Sequence, residues 1–207
     1  MIALIDYGAG NVRSVHKALE AIGAQVQVVR EGDDLRGAEK IVLPGVGAFG
    51  DCMKALRERG LDEALRRAVA DGIPFLGICV GMQVLLEIGE EMGYHAGLGL
   101  FPGRVVRFPD DLTRQGLKVP HTGWNQLHHR RESVLLEGIP SGAWVYFNHS
   151  YFARTEPEYV ISVTDYGGPF PAIVGRETVY GVQFHPEKSQ RVGLRILRNF
   201  VETVGHG

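Results

Sequence analysis

Cysteine is scarce in this chain, which carries only Cys52 and Cys79 among 207 residues. Two cysteines argue against the disulfide framework of a small secreted fold. The opening Met1-Ile2-Ala3-Leu4-Ile5-Asp6 reaches an acid too early for the apolar segment of a signal peptide. Both features fit a reducing cytoplasm. No apolar stretch reaches the roughly 18 residues that a spanning helix requires, so membrane association is not expected. Neither sign of charge is in excess: 22 Lys and Arg against 24 Asp and Glu leave a net charge of -2, with the cations scattered. Nucleic acid, which calls for clustered cations, is therefore not an expected partner. Zinc-ligand spacing is missing too. His128-His129 lies among Arg130-Arg131-Glu132 and reads as a solvated turn. His185 and Glu187 open a zinc-deaminase pattern, but both cysteines that would have to follow lie upstream. No metal and no cofactor are expected.

Glycine, by contrast, is plentiful, with 28 residues and no low-complexity stretch, as expected of a fold with many tight strand-to-helix turns. With 44% of residues hydrophobic, the chain can bury one full core, and residues 1–207 read as a single domain. Apolar runs at residues 2–6, 25–30, 40–43 and 74–79 alternate with helical spacing at 12–22, 51–59 and 61–70. This rhythm predicts an α/β fold, a mostly parallel central sheet flanked by helices, with its site at the strands' C-terminal ends. From residue 93 onward the runs shorten, at 104–108, 143–147, 159–163 and 172–176, and read as antiparallel strands added to the sheet. A last strand at 178–184 precedes a closing helix for which Ser189 is a candidate cap.

Gly77-Ile78-Cys79-Val80-Gly81 carries the sharpest signal. A buried strand ends at a cysteine between two glycines, and the apolar residues after it read as a helix through Leu86. Such strand–nucleophile–helix turns need glycine on either side because a side chain would clash in so tight a bend. A thiol there feels the positive end of a helix dipole, and free backbone N–H groups can receive an oxyanion. Taken alone, the motif leaves a reactive thiol and a buried structural cysteine both open. His185-Pro186-Glu187, after the last strand, is either a strand-end turn or a base with its orienting carboxylate. If the chain stays extended through Pro186, the two side chains project to one side. The chain order Cys, His, Glu favours the catalytic reading.

Gly45-Val46-Gly47-Ala48-Phe49-Gly50 formally satisfies a dinucleotide-binding pattern, but it follows the third strand and no acid caps a suitable next strand. A glycine-rich turn beside the cysteine can instead offer a backbone N–H to an oxyanion. The stretches 119–126 and 146–151, dense in aromatic and amide groups, read equally as core or as binding surface.

In their order along the chain, Pro44-Gly45-Val46-Gly47-Ala48-Phe49, Gly77 to Gln83 and Gly181-Val182-Gln183-Phe184-His185-Pro186-Glu187-Lys188-Ser189 resemble the class I (triad) glutamine amidotransferases. Asp6 to Asn11, Pro120-His121-Thr122-Gly123-Trp124-Asn125 and His149-Ser150-Tyr151 are similar to the branch that serves histidine biosynthesis. The resemblance implies that Cys79 attacks glutamine, with His185 and Glu187 completing a triad. The oxyanion would rest on backbone N–H groups of Val80 and of the Val46-Gly47 turn. Gln83, Asn148, Ser150 and Tyr151 would contact glutamine. It further implies a (β/α)8-barrel cyclase partner in a heterodimer, met at Asn11, Pro120, Trp124, Asn125 and Lys188. A glutaminase serving another acceptor, a non-catalytic docking subunit and a cysteine hydrolase of other acyl substrates are the competing readings.

Overall fold

The computed structural model describes residues 1–205. Its first half alternates strand and helix: β1 (Ile2–Ile5), α1 (Val12–Ala21), β2 (Val26–Val29), β3 (Lys40–Gly45), α2 (Phe49–Glu58), α3 (Leu61–Ala70), β4 (Phe75–Cys79) and α4 (Val80–Gln83). The second half holds β5 (Leu86–Gly89), β6 (His95–Ala96), β7 (Phe101–Arg107), β8 (His121–Gln126), β9 (His128–His129), β10 (Trp144–His149), β11 (Tyr151–Arg154), β12 (Val160–Asp165), β13 (Pro169–Arg176), β14 (Val179–Val182) and α5 (Gln190–Glu202).

Eight strands form the main sheet in the order β2-β1-β3-β4-β14-β13-β12-β9. The pairs from β2 to β14 are parallel and those from β14 to β9 antiparallel. Parallel strands covered on both faces are apolar throughout rather than alternating. β1 accordingly reads Ile-Ala-Leu-Ile with every residue buried. The helices supply the covering layers through one apolar stripe each. In α2 the stripe is Phe49, Cys52, Met53 and Leu56, and in α3 it is Leu61, Ala64, Leu65 and Ala68. Lys40 of β3 is buried and its ammonium donates to the carbonyls of Phe200 and Val204, tying the end of α5 to the sheet. Among the described residues no helix is long and apolar enough to cross a membrane.

Three sequence expectations need correction. The runs at 104–108 and 143–147 do not join the main sheet. β7 lies in a four-stranded sheet, β11-β7-β5-β6, and β10 pairs only with β8. The helix after Cys79 stops at Gln83 because the carbonyls of Val84 and Leu85 accept from Leu98 and Leu100 at 2.7 and 2.8 Å, turning the chain into β5. The His128-His129 pair is β9, hydrogen-bonded to β12, rather than a solvated turn.

Candidate active site

β3, β4 and β14 lie side by side, so the chain leaving each at its C-terminal end meets the other two. β4 ends at Cys79, whose backbone has φ 55° and ψ -113°, a left-handed geometry that a non-glycine residue adopts at some cost. Close packing enforces the bend. A Cβ on Gly81 would lie 1.9 Å from the carbonyl oxygen of Leu43, and one on Gly77 would lie 2.4 Å from that of Gly81. Only glycine lets the three segments approach this closely. Gly47, at φ 91°, has open space around it and is required for its conformation instead.

A cavity of about 420 Å³ opens over Cys79. Its wall includes Val46, Gly47, Val80, Gln83, Pro120, Asn148, Ser150, Tyr151, His185 and Lys188, which were all singled out from the sequence. Ala48, Glu91 and His149 complete it: Ala48 and His149 lay within motifs read from the sequence but were given no role, and Glu91 was not singled out. Glu91 accepts the backbone N–H of Phe49 at 2.9 Å, which anchors the start of α2 at the cavity rim. Asn148 presents its carbonyl 4.0 Å from the Cys79 sulfur, and its side-chain oxygen accepts from the Thr122 hydroxyl at 3.1 Å.

His185 follows β14, and its Nδ1 lies 2.8 Å from Oε1 of Glu187. The chain between them is not extended. Pro186–Lys188 form a single 3-10 turn, which brings the carboxylate under the ring by a tighter route. Ser189 does not cap α5 either. Its hydroxyl accepts from the N–H of Tyr146 at 2.9 Å and donates to the carbonyl of His185 at 2.7 Å, holding the imidazole-bearing segment. Burial alone would lower the pKa of His185, but hydrogen bonds to Cys79 and Glu187, with their charges, push it up to about 10. The ring therefore carries a proton at neutral pH. Glu187 also accepts from Nδ2 of Asn11 at 3.2 Å, while its Oε2 is buried without a hydrogen-bond partner among the described residues.

Three residues expected at a partner interface lie off the cavity wall. Asn11 stands behind Glu187, as described. Trp124 is 44% exposed on β8 and edges against Tyr146 with ring centroids 6.1 Å apart. Asn125 donates to the Asp165 carbonyl at 2.9 Å and lies 3.3 Å from Nε2 of His121.

Sequence reasoning also missed a buried imidazole pair. His121 Nδ1 and His149 Nε2 are 3.0 Å apart, and His149 Nδ1 lies 2.7 Å from the Tyr151 carbonyl oxygen. Burial lowers the pKa of His121 to about 4 and that of His149 to about 3. Both rings are neutral, and His121 is stacked on Phe147 and Tyr166. The Cys52 sulfur, 3.6 Å from the Val46 carbonyl and 3.3 Å from the Tyr7 hydroxyl, is an internal strut of the turn after β3. Burial pushes its thiol up to about 11.

A family model described as glutamine amidotransferase class-I matches residues 3–204. The chain is 54% identical over 201 residues to a Desulfitobacterium hafniense (strain Y51) protein named imidazole glycerol phosphate synthase subunit HisH, covering 97% of this chain and 93% of that one. It is 49% identical over 206 residues to a protein of the same name from Archaeoglobus fulgidus, covering 99% of each. A solved structure described as a crystal structure of glutamine amidotransferase has a TM-score of 0.77 at 23% identity, over 99% of this chain and 100% of that one. At that identity the likeness concerns the fold alone.

Proposed function

Since the chain belongs to the class-I glutamine amidotransferase family, we propose that Cys79, His185 and Glu187 release ammonia from glutamine and that a (β/α)8-barrel cyclase consumes it. The enzyme is then the glutaminase subunit of an imidazole glycerol phosphate synthase, acting in histidine biosynthesis. One observation carries this reading: a strained cysteine faces a protonated, carboxylate-backed histidine across one cavity.

The sulfur of Cys79 attacks the carboxamide carbon of glutamine, and the C=O π pair moves onto oxygen. Backbone N–H groups of Val80 and of the Val46-Gly47 turn receive that oxyanion. His185 gives its proton to the nitrogen, the C–N bond breaks and ammonia leaves. Water then attacks the thioester and gives a proton to His185, and the C–S bond breaks to release glutamate. Glu187 stays charged throughout and steadies the imidazolium.

A free amino acid is a zwitterion, and beside the His185 imidazolium the cavity wall offers a carboxylate in Glu91 and an ammonium in Lys188. Asn148, Ser150 and Tyr151 line the substrate. Both side-chain N–H groups of Gln83 are engaged, to the Tyr151 carbonyl and to Gln183, so Gln83 addresses glutamine through its oxygen.

Ammonia is nucleophilic only while unprotonated, so it has to reach its acceptor without mixing with bulk water. The partner supplies that acceptor, and the cyclase yields imidazole glycerol phosphate and aminoimidazole carboxamide ribotide. Asn11, Pro120, Trp124, Asn125 and Lys188 mark the face it meets, where Trp124 and Val46 are both exposed apolar groups. A reducing cytoplasm suits this chemistry, since the nucleophile must remain a free thiol.

Reconstitution with the cyclase tests the reading. Cys79→Ala is expected to abolish glutamine-dependent turnover and leave ammonia-dependent turnover intact. Survival of the glutamine reaction would refute the assignment of the nucleophile. Glutamate release by the chain alone, set against release with cyclase and cyclase ligand present, tests the partner.

A further inference from the structure

Gln183 takes no part in the chemistry above and does not line the cavity. It follows β14 directly and is completely buried, with its backbone N–H donating to the Ala172 carbonyl at 2.9 Å. Its amide nevertheless touches the reacting group. Nε2 lies 3.8 Å from the Cys79 sulfur, and Oε1 lies 3.1 Å from Nε2 of Gln83.

The orientation of both amides follows from the far end of the line. The Tyr151 main-chain carbonyl can only accept. Gln83 donates to it at 2.9 Å, so the nitrogen of Gln83 faces Tyr151. The second N–H on that nitrogen points at Gln183 and requires the oxygen of Gln183 there. The nitrogen of Gln183 is left facing the sulfur. A separate line of bonds ends on the same carbonyl. His149 Nδ1–H donates to Tyr151, His121 Nδ1–H donates to His149 Nε2, and the Asn125 amide donates to His121 Nε2. One arrangement of protons satisfies every member, and its last donor is the amide of Gln183.

We propose that Gln183 is a positioning residue for the nucleophile, its N–H donating to the Cys79 sulfur, favouring the thiolate and aiming it into the cavity. This rests on the reading of Cys79 as the nucleophile. Hydrogen bonds to charged acceptors are stronger than neutral ones, and a buried amide held at its other end loses little freedom in making one. His185 after β14, Tyr7 after β1 and Cys52 on α2 also act on this sulfur; Glu187 acts on His185, Glu91 on Cys52 and His149 faces His185, while Lys188 shares the cavity wall.

The test is the pH dependence of Cys79 alkylation by iodoacetamide in the full chain. Mass spectrometry of the Cys79 peptide keeps Cys52 out of the count. Gln183→Glu retains the acceptor that Gln83 needs but sets a carboxylate against the sulfur. Its alkylation midpoint is expected to rise by about one pH unit or more. Gln183→Met removes the donor to the sulfur together with the acceptor for Gln83, adds no charge, and is expected to give a smaller rise, with the rate at neutral pH falling a few-fold. In the cyclase complex both variants should lower kcat for glutamine while KM changes little, since Gln183 is outside the cavity wall. Wild-type midpoints in both folded variants would overturn the proposal.

A second measurement requires no variant at position 183 to fold. The side-chain amide signal of Gln183 in nitrogen-15 NMR should move when Cys79 is alkylated and in Cys79→Ala. A signal indifferent to both changes would overturn the proposal as well. Glutamine turnover that survives Cys79→Ala would remove the nucleophile reading itself and this inference with it. Loss of that turnover, with unchanged profiles at position 183, removes this inference alone.

Discussion

Asn11 and Glu187, 176 residues apart in sequence, meet through a hydrogen bond of 3.2 Å. Asn11 is the residue before α1, where an asparagine would ordinarily cap the helix with its side chain. It makes no cap bond here, and its amide goes instead to the carboxylate that holds His185. The first turn of the chain thereby steadies an acid close to its end.

Glu187→Gln should therefore lower the glutamine-dependent kcat by roughly 10²- to 10⁴-fold, the usual range for disabling a general acid–base group. KM should change little, because Glu187 does not line the cavity. The substitution also changes the pH profile of stability. With the folded pKa of His185 raised to about 10, its contribution is complete below the unfolded value, about 6.5, and is lost as pH rises through about 10. Calorimetric Tm values taken across that window should fall less steeply in the variant than in the wild type.

His121 and His149 impose the opposite slope. Their folded pKa values, about 4 and about 3, lie below the unfolded value, so the unfolded chain binds more protons between them. Stability is complete above pH about 6.5 and declines as pH falls toward 4 and 3. Urea midpoints measured at neutral and acid pH should show this decline. His121→Phe, which keeps an aromatic ring between Phe147 and Tyr166, should remove about half of it. An unchanged acid slope in that variant would exclude His121 as a source.

Gly81→Ala isolates the strand–helix bend from the chemistry. The added methyl would sit 1.9 Å from the Leu43 carbonyl oxygen, on backbone that cannot rotate aside. A loss of about 3 kcal/mol or more in denaturant unfolding is expected. Gly47→Ala is a useful contrast, because it meets open space and is opposed only by its positive φ.

Cys79 and its two glycines were legible in sequence because the constraint is local: three residues define the bend. His185 and Glu187 were legible from their place after a strand, although the turn that joins them is tighter than an extended chain. Gln183 was visible within its motif, but a donor role requires the sulfur of a residue 104 positions away. Glu91 lies in a loop without periodicity, and only the packing of β5 brings it to the cavity. The pairing of His121 with His149 depends on the register of β8 against β10, which places the two residues opposite each other. The run from Val84 to Gly89 is apolar enough for helix or strand, and bonds from Leu98 and Leu100 decide between them.

The insertion of β14 between β4 and β13 also bears on how the protein is made. Cys79 sits on the first of these strands in the chain, and His185 and Glu187 follow the last, so the ribosome delivers the thiol well before the imidazole and the carboxylate. While β14 is still unsynthesised, β4 lacks a neighbour on one side, and Cys79 has no imidazole to draw its proton or to protonate a departing amine. If Cys79 and His185 act as proposed, a chain that ends before β14 is expected not to spend glutamine. On the proposed roles, β14, the last strand in the chain, both fills the sheet between β4 and β13 and carries the segment that brings the imidazole to the thiol, which would tie the onset of hydrolysis to the arrival of the chain's final strand.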